Sequence, residues 1–459
     1  VSAIKGDPAG LRRAFTALLA AMTLVLMGAV AAPRAAAVPL PQHDSFYAPP
    51  EGFESAEPGT VLRSREVQLA VLTALPLNVR SWQLMYRTTD LFDRPTVAVS
   101  TVVLPAGADP NRSRPLVSLQ FYYDSASPAC APSFVLRQGA GLPGLEGIHS
   151  NSELIALAAL ISKGWAVSIP DYEGLNGHLA VAKEPGYMTL DGVRAAQRFE
   201  PLGLDGANTP VALWGFSGGG MASGWAAEMH PAYAPELNIR GIAMGAPVSD
   251  VESLLHVNGS MFSSLIGIGI ASLSNAYPAF KEVTYRHLTP EGRALMDRTN
   301  AQCLPRNALT QMFVDYQRLL TIPIAEFLAL PEIREVFDAT VLGKNTPTAP
   351  IFLYQGVFDE GVPVWTNDRL AQQYCEGGAS VVYTRDHLSE HLTLPTLGMP
   401  ATFNWLKQRL DPTATTQSGC RTDNVVSMLA DPTALLTQLE INLNATFGAF
   451  GYPIGPHER

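Results

Sequence analysis

Val211-Ala212-Leu213-Trp214-Gly215-Phe216-Ser217-Gly218-Gly219-Gly220-Met221-Ala222 changes character at its centre. Val211–Phe216 is an unbroken apolar run of strand length, and residues 218–229 are rich in glycine and alanine with a helical pattern. Gly215-Phe216-Ser217-Gly218-Gly219 stands at the junction and fits G-x-S-x-G. A nucleophile elbow needs this strand–turn–helix order, because the glycines relieve crowding around a strained serine and leave its Oγ exposed at the sheet edge. The following helix start turns free backbone N–H groups, that of Gly218 included, toward a developing oxyanion. A glycine-rich turn with a surface serine would carry the same letters. The strand before it and the helix after it favour the elbow.

Outward from this point the chain alternates. Residues 79–87, 96–104 and 116–123 read as strands, 154–163 as a helix, 166–169 as a buried strand, 191–198 as a helix and 240–244 as a strand. Such alternation predicts a parallel sheet with helices on both faces. It stops over 250–345, where 293–298, 311–320 and 324–336 (broken at Pro331) read as amphipathic helices and 253–270 is apolar. Plain packed helices would suffice there; a cap inserted over the sheet is the sharper reading. Strands return at 351–355 and 380–384, followed by a helix at 400–410. The expected division is 38–249 and 346–435 for the two parts of the core, 250–345 for the cap and 436–459 for a tail.

The whole chain has 459 residues, 47% hydrophobic and 16% charged, which suits a large folded core rather than a disordered chain. Its formal charge is −10, from 31 basic and 41 acidic residues. With no basic run in the body, a nucleic-acid partner is excluded on charge grounds. Lys5, Arg12 and Arg13 precede an uncharged apolar stretch at 14–33, and Ala35-Ala36-Ala37 follows. Residues 1–37 therefore read as a secretory signal peptide with a mature start near Val38. A retained membrane anchor is the rival, since about 20 apolar residues can span a bilayer, but the alanine-rich exit favours cleavage. An exported protein fits four cysteines, Cys130, Cys303, Cys375 and Cys420, as two disulfides, with three pairings open.

An elbow serine is followed in chain order by an acid and a histidine. Asp359, in Gly356-Val357-Phe358-Asp359-Glu360-Gly361 after the strand at 351–355, is the leading acid; Asp250 and Glu360 compete. His387, His391 and His457 lie far enough along to be the base, and spacing does not choose between His387 and His391. His387-Leu388-Ser389-Glu390-His391 also matches H-x-x-E-H, a zinc-peptidase signature. That chemistry needs both histidines on one helix face plus a third ligand, for which Glu440 is the unsupported choice. The segment is squeezed between a strand and Pro395, so the zinc reading is disfavoured. Gly139-Ala140-Gly141-Leu142-Pro143-Gly144 fits G-x-G-x-x-G only literally, because proline and the lack of a clean following helix make it a loop.

Several longer strings carry a resemblance. They are Asp44-Ser45-Phe46-Tyr47 with Pro49-Pro50, Pro58-Gly59-Thr60-Val61-Leu62, Tyr122-Tyr123-Asp124-Ser125 and Cys130-Ala131-Pro132-Ser133. They continue with Asp171-Tyr172-Glu173-Gly174, Tyr233-Ala234-Pro235-Glu236-Leu237-Asn238-Ile239, Asp359-Glu360-Gly361-Val362-Pro363 and Glu390-His391-Leu392-Thr393. Over most of its mature length the chain resembles the secretory lipase family. The resemblance implies an α/β-hydrolase core with a large helical cap, and hydrolysis of carboxylic esters, typically triacylglycerols, with no metal or other cofactor. It implies a triad of Ser217, Asp359 and His391, which decides against His387, and an oxyanion hole of Gly218 with Asp124. It also implies the disulfides Cys130–Cys303 and Cys375–Cys420. Two departures stand out: Phe216 replaces a tyrosine of the yeast relative, and the tail after Cys420 is longer, where the relative has a flap at its active-site entrance.

The resulting expectation is a secreted serine lipase or esterase acting on a lipid or small ester substrate, with the cap meeting a lipid interface. An acyltransferase using the same triad and a non-catalytic hydrolase-fold binding protein are the alternatives. Phe262, Leu265, Ile266, Ile268, Phe313 and Phe327 are expected to form an apolar acyl-binding roof. Asp124 can donate to an oxyanion only if protonated, which needs an apolar, buried setting that Tyr122, Tyr123 and Trp214 would help supply.

Overall fold

The computed structural model describes residues 38–109, 111–141, 148–415 and 417–456. Residues 1–37, expected to be a leader, His457 and part of the Gly139–Gly144 loop lie outside the described residues. Among the described residues ten strands form one sheet: β1 Val61–Glu66, β2 Val79–Thr89, β3 Pro95–Pro105, β4 Leu116–Gln120, β5 Ala166–Pro170, β6 Val211–Phe216, β7 Ile239–Gly245, β8 Ile351–Gly356, β9 Val381–Asp386 and β10 Cys420–Val425. Their order across the sheet is β1-β2-β3-β5-β4-β6-β7-β8-β9-β10. β1, β2, β3 and β5 pair antiparallel in succession, and every pair from β5 to β10 is parallel.

The parallel centre is buried on both sides, which is why β4, β5, β6 and β8 are buried at every position and show no alternation of buried and exposed residues. The pleat still sorts their side chains. Val211, Leu213, Ile351 and Leu353 join the core on one face, with helices α2 Glu184–Arg198, α3 Gly218–Tyr233 and α9 Val364–Glu376. Trp214, Phe216, Phe352 and Tyr354 join the other, with α1 Ile148–Ile161 and α10 Met399–Leu410. At the two edges the pattern becomes polar: β1 carries Arg63, Arg65 and Glu66, and β10 carries Arg421 and Asp423. Charges of that kind blunt an open strand against pairing with another chain. β10 is held by β9 and by the Cys375–Cys420 disulfide.

Between β7 and β8 the described chain adds no strand to the sheet. It runs through α4 Ser264–Ala276, α5 Pro278–His287, α6 Pro290–Asn300, α7 Leu304–Thr310 and α8 Pro331–Ala339, joined by short helical turns. Proline in the first turn marks these last four helices, where its missing N–H costs nothing. Ile266, Leu288, Leu295, Met296, Tyr316 and Leu319 give this insert a core of its own. The second disulfide, Cys130–Cys303, ties the insert to the loop after β4. Both pairs match those the resemblance implies.

Some expectations are corrected. The strand expected at 116–123 ends at Gln120, because the Tyr122 N–H turns to the Glu153 carboxylate (3.0 Å) and Asp124 takes φ 31°. The helix expected at 311–320 forms only the turn Tyr316–Leu319. There the Asp315 carboxylate accepts from the Gln317 N–H and Asn258 accepts from the Tyr316 N–H, so side chains take the backbone groups a helix would use. The tail forms α11 Pro432–Ala449, capped by Asp431 and packed on α1 and α10.

Candidate active site

Strand topology brings the site together. β4, β6, β8 and β9 run the same way, so the loops after them share one end of the sheet. The chain steps outward from β4 to β5 and then back to β6. The crevice of an open α/β sheet lies at such a reversal, beyond the strand carboxyl ends. Asp124 follows β4, Ser217 follows β6, Asp359 follows β8 and His391 follows β9.

Ser217 has φ 52° and ψ −118°, a conformation in which an L-residue is strained. Its N–H donates to the Gly245 carbonyl (2.8 Å), and its carbonyl accepts from the Met221 N–H. A Cβ on Gly219 would collide with the Gln120 carbonyl, and one on Gly218 would collide with the Asp124 carboxyl. Both positions therefore require glycine.

Ser217 Oγ lies 3.0 Å from His391 Nε2. His391 Nδ1 is 2.8 and 3.0 Å from the two Asp359 carboxylate oxygens. The N–H groups of Gly361 and Val362 donate to Asp359 Oδ1, and Gln355 Nε2 donates to Oδ2 (3.0 Å). Burial favours the neutral His391 ring, but the Asp359 charge and hydrogen bond outweigh it and hold the imidazole above its ordinary 6.5. This assembly suits a histidine that takes a proton from Ser217 while Asp359 fixes the ring's orientation.

The competing candidates stand elsewhere. His387 is exposed, with Nε2 3.3 Å from Asn424 Oδ1. Glu360 accepts from the His391 backbone N–H, and Asp250 pairs with Arg369 (2.8 Å). Residues 387–393 form turns, not a helix, so His387 and His391 share no helix face. Glu440 pairs with Lys163. Among the described residues no group of three or more His, Cys, Asp or Glu is placed to hold a metal ion.

Asp124 is buried, and its Oδ1 has no hydrogen-bond partner. Burial pushes its carboxyl up from 3.8 to about 6, against the pull of a charged His391 and of its own backbone N–H. Sequence reasoning missed the groups around it. The Glu153 and Glu173 carboxyls, both raised well above the usual range by burial, accept from the N–H groups of Tyr122 (3.0 Å) and Ser125 (3.2 Å), on either side of Asp124. The buried Tyr172 hydroxyl, without a partner, faces the same point on Gly218 as the Asp124 carboxyl. Trp214, expected here, instead donates to the Tyr354 hydroxyl (3.2 Å).

A cavity of about 510 Å³ opens over Ser217 and His391, within the range of sites that enclose a small ligand. Tyr122, Asp124 and Phe216 line it from the core, and Phe262, Leu265, Leu304, Ala308 and Met312 line it from the insert. The Phe262 ring stands edge-on to His391, centroids 6.4 Å apart. Of the expected roof residues only Phe262 and Leu265 line the cavity. Ile266, Ile268 and Phe327 are buried in helix packing, and Phe313 is 68% exposed. A larger groove of about 1030 Å³, lined by Phe92, His178, Glu184 and Lys281, contains none of Ser217, Asp359 or His391.

Known proteins with this sequence and fold can now be set beside the site. Residues 142–418 match the secretory lipase family. A protein of Mycobacterium tuberculosis named a probable inactive lipase is 41% identical over 371 residues, covering 81% of this chain and 82% of that one. A secreted triacylglycerol lipase of Malassezia furfur is 31% identical over 437 residues, covering 92% and 91%. The crystal structure of Candida antarctica lipase A in its closed state superposes with a TM-score of 0.80 at 26% identity, covering 92% of this chain and all of that one. Its α/β-hydrolase fold is the fold described above. The chain belongs to the secretory lipase family.

Proposed function

We propose that the protein is an exported serine lipase that hydrolyses carboxylic esters of lipids, triacylglycerols among them. The observation that carries this reading is the connected row Ser217, His391, Asp359 under an apolar cavity. His391 Nε2 takes the Ser217 hydroxyl proton as Oγ attacks the ester carbonyl carbon, and the carbonyl oxygen becomes the oxyanion. The Gly218 N–H and a protonated Asp124 donate to it. The intermediate collapses, His391 returns the proton to the leaving alcohol, and an acyl-Ser217 remains. Water, deprotonated by His391, then releases the carboxylic acid.

The apolar lining supports an acyl chain as the bound group. Met261, Leu309, Met312 and Phe313 on the insert and Leu388 and Leu392 beside His391 are exposed, which supports contact between this end of the molecule and a lipid surface. The reading of residues 1–37 as a leader and the secreted Malassezia relative support export.

The Mycobacterium relative's name supports a second reading, a hydrolase fold without activity. Labelling by a fluorophosphonate separates the two. Wild type should be labelled and Ser217→Ala should not, and wild type should release fatty acid from emulsified triacylglycerol. An unlabelled wild type would favour the inactive reading, and an alcohol acceptor that captures most of the acyl group would favour a transferase.

A further inference from the structure

α11 has two apolar faces. Ala434, Thr437, Ile441 and Gly448 are buried against the core. Leu435, Leu436, Leu439, Leu443, Phe447 and Phe450 are between 49% and 71% exposed. At 3.6 residues per turn these six fall within an arc of roughly 120°, opposite the buried set. Leu436, Leu443 and Phe450 recur at the heptad spacing that lets one helix lie along another. Tyr452, also exposed, extends the patch beyond the helix end.

We propose that this outer face of α11 is a homodimer interface, on which the same helix of a second copy lies antiparallel about a two-fold axis. Size is the first argument. With roughly 150–250 Å² offered by a bare large side chain, the exposed part of the six comes to about 700 Å². That exceeds the largest apolar patch of an ordinary monomer, about 300–600 Å², and approaches the ~800 Å² that each partner contributes to a stable interface. Charge is the second. Residues 432–452 contain no lysine or arginine, Glu440 is paired with Lys163, and the protein is acidic at −10. Helices that lie on membranes flank their apolar face with basic residues. Asn442 borders the face on one side, and on the other Glu440 has its charge met by Lys163, so neither border repels its own copy across an axis. An isologous contact needs such self-complementarity. Among the described residues no part of α11 lines the cavity over Ser217.

Sedimentation of the protein recovered from a secreting host, free of lipid and detergent, tests this. The mass should be that of a dimer over roughly 1–100 µM, where interfaces of this size hold. Leu436→Glu with Leu443→Glu should halve the mass while kcat/KM on a soluble short-chain ester stays within about twofold. Should that pair fail to fold, Leu439→Gln should move dissociation to at least about tenfold higher concentration. A wild type that is monomeric throughout overturns the proposal. So does a dimer that the glutamates leave intact, a monomer that floats with phosphatidylcholine vesicles, or association only when residues 1–37 are retained.

Discussion

Replacing Asp124 with asparagine should remove one limb of the pH profile and stabilise the fold, both in a pH-dependent way. The proposed chemistry needs His391 neutral and Asp124 protonated. His391 is neutral above its raised pKa, whereas Asp124 is protonated below about 6. The competent form is then a minority species at every pH, and kcat/KM follows a bell whose two limbs belong to the coupled pair. At about pH 8, two units past its pKa, roughly 1% of Asp124 retains its proton. Asparagine keeps an N–H donor that does not titrate. Asp124→Asn should lose activity near pH 6, hold its plateau at alkaline pH and overtake wild type there. Asp124→Leu, with no donor, should fall by about 10²–10³ at the wild-type maximum. Stability gives an independent measure. A buried aspartate whose folded pKa is raised favours folding below its unfolded pKa, and that contribution is lost as pH rises through the folded value. The climb from 3.8 to about 6 corresponds to about 3 kcal/mol at 1.36 kcal/mol per unit. Asp124→Asn should therefore gain about that much relative to wild type in urea melts between about pH 4 and pH 8. The reasoning fails if Asp124→Asn keeps the alkaline limb of wild type, or if the stability difference is the same at both pH values.

Ser217→Ala and His391→Ala should each lower kcat by about 10⁴–10⁶ with unchanged thermal melts, whereas His387→Ala should stay within about twofold. Active-site titration with burst kinetics checks all three. Replacing Cys130 and Cys303 together by serine should cost about 2–5 kcal/mol in denaturant unfolding; no measurable loss would mean that the bond does not hold the insert. Ala308→Trp, which fills the cavity from α7, should cut turnover of long-chain nitrophenyl esters about tenfold or more while sparing acetate. Equal losses on both would place the acyl chain elsewhere.

The elbow was legible because Val211–Phe216 is buried on both faces and runs without interruption into a glycine-rich helix. β10 was not, because Arg421, Thr422, Asp423 and Asn424 look like a loop; pairing with β9 and a disulfide make them a strand. His387 and His391 could not be told apart by spacing, since turns at 387–393, not helical periodicity, aim one at Ser217 and the other at solvent. Asp124 entered only through family resemblance. An ionised carboxylate beside an oxyanion is repulsive, and the burial that pushes its pKa up to about 6 comes from residues distant in sequence. One available signal was passed over: Glu153 is the lone acid of its helix and is followed by eight apolar residues at 154–161, and an acid so placed usually has a buried partner. The roof was misassigned in part because α4 is apolar on several sides, so periodicity does not say which of Leu265, Ile266 and Ile268 faces the cavity.

The Cys130–Cys303 bond fastens the insert at one edge. Cys130 lies in the same loop as Asp124, and Cys303 directly precedes α7, whose Leu304, Pro305 and Ala308 line the cavity. A covalent strap at that corner behaves as a door hinge. The wall formed by α7 stays in register with the loop that carries Asp124. Cutting the strap would free that wall from the loop and leave the insert held by its backbone connections to β7 and β8.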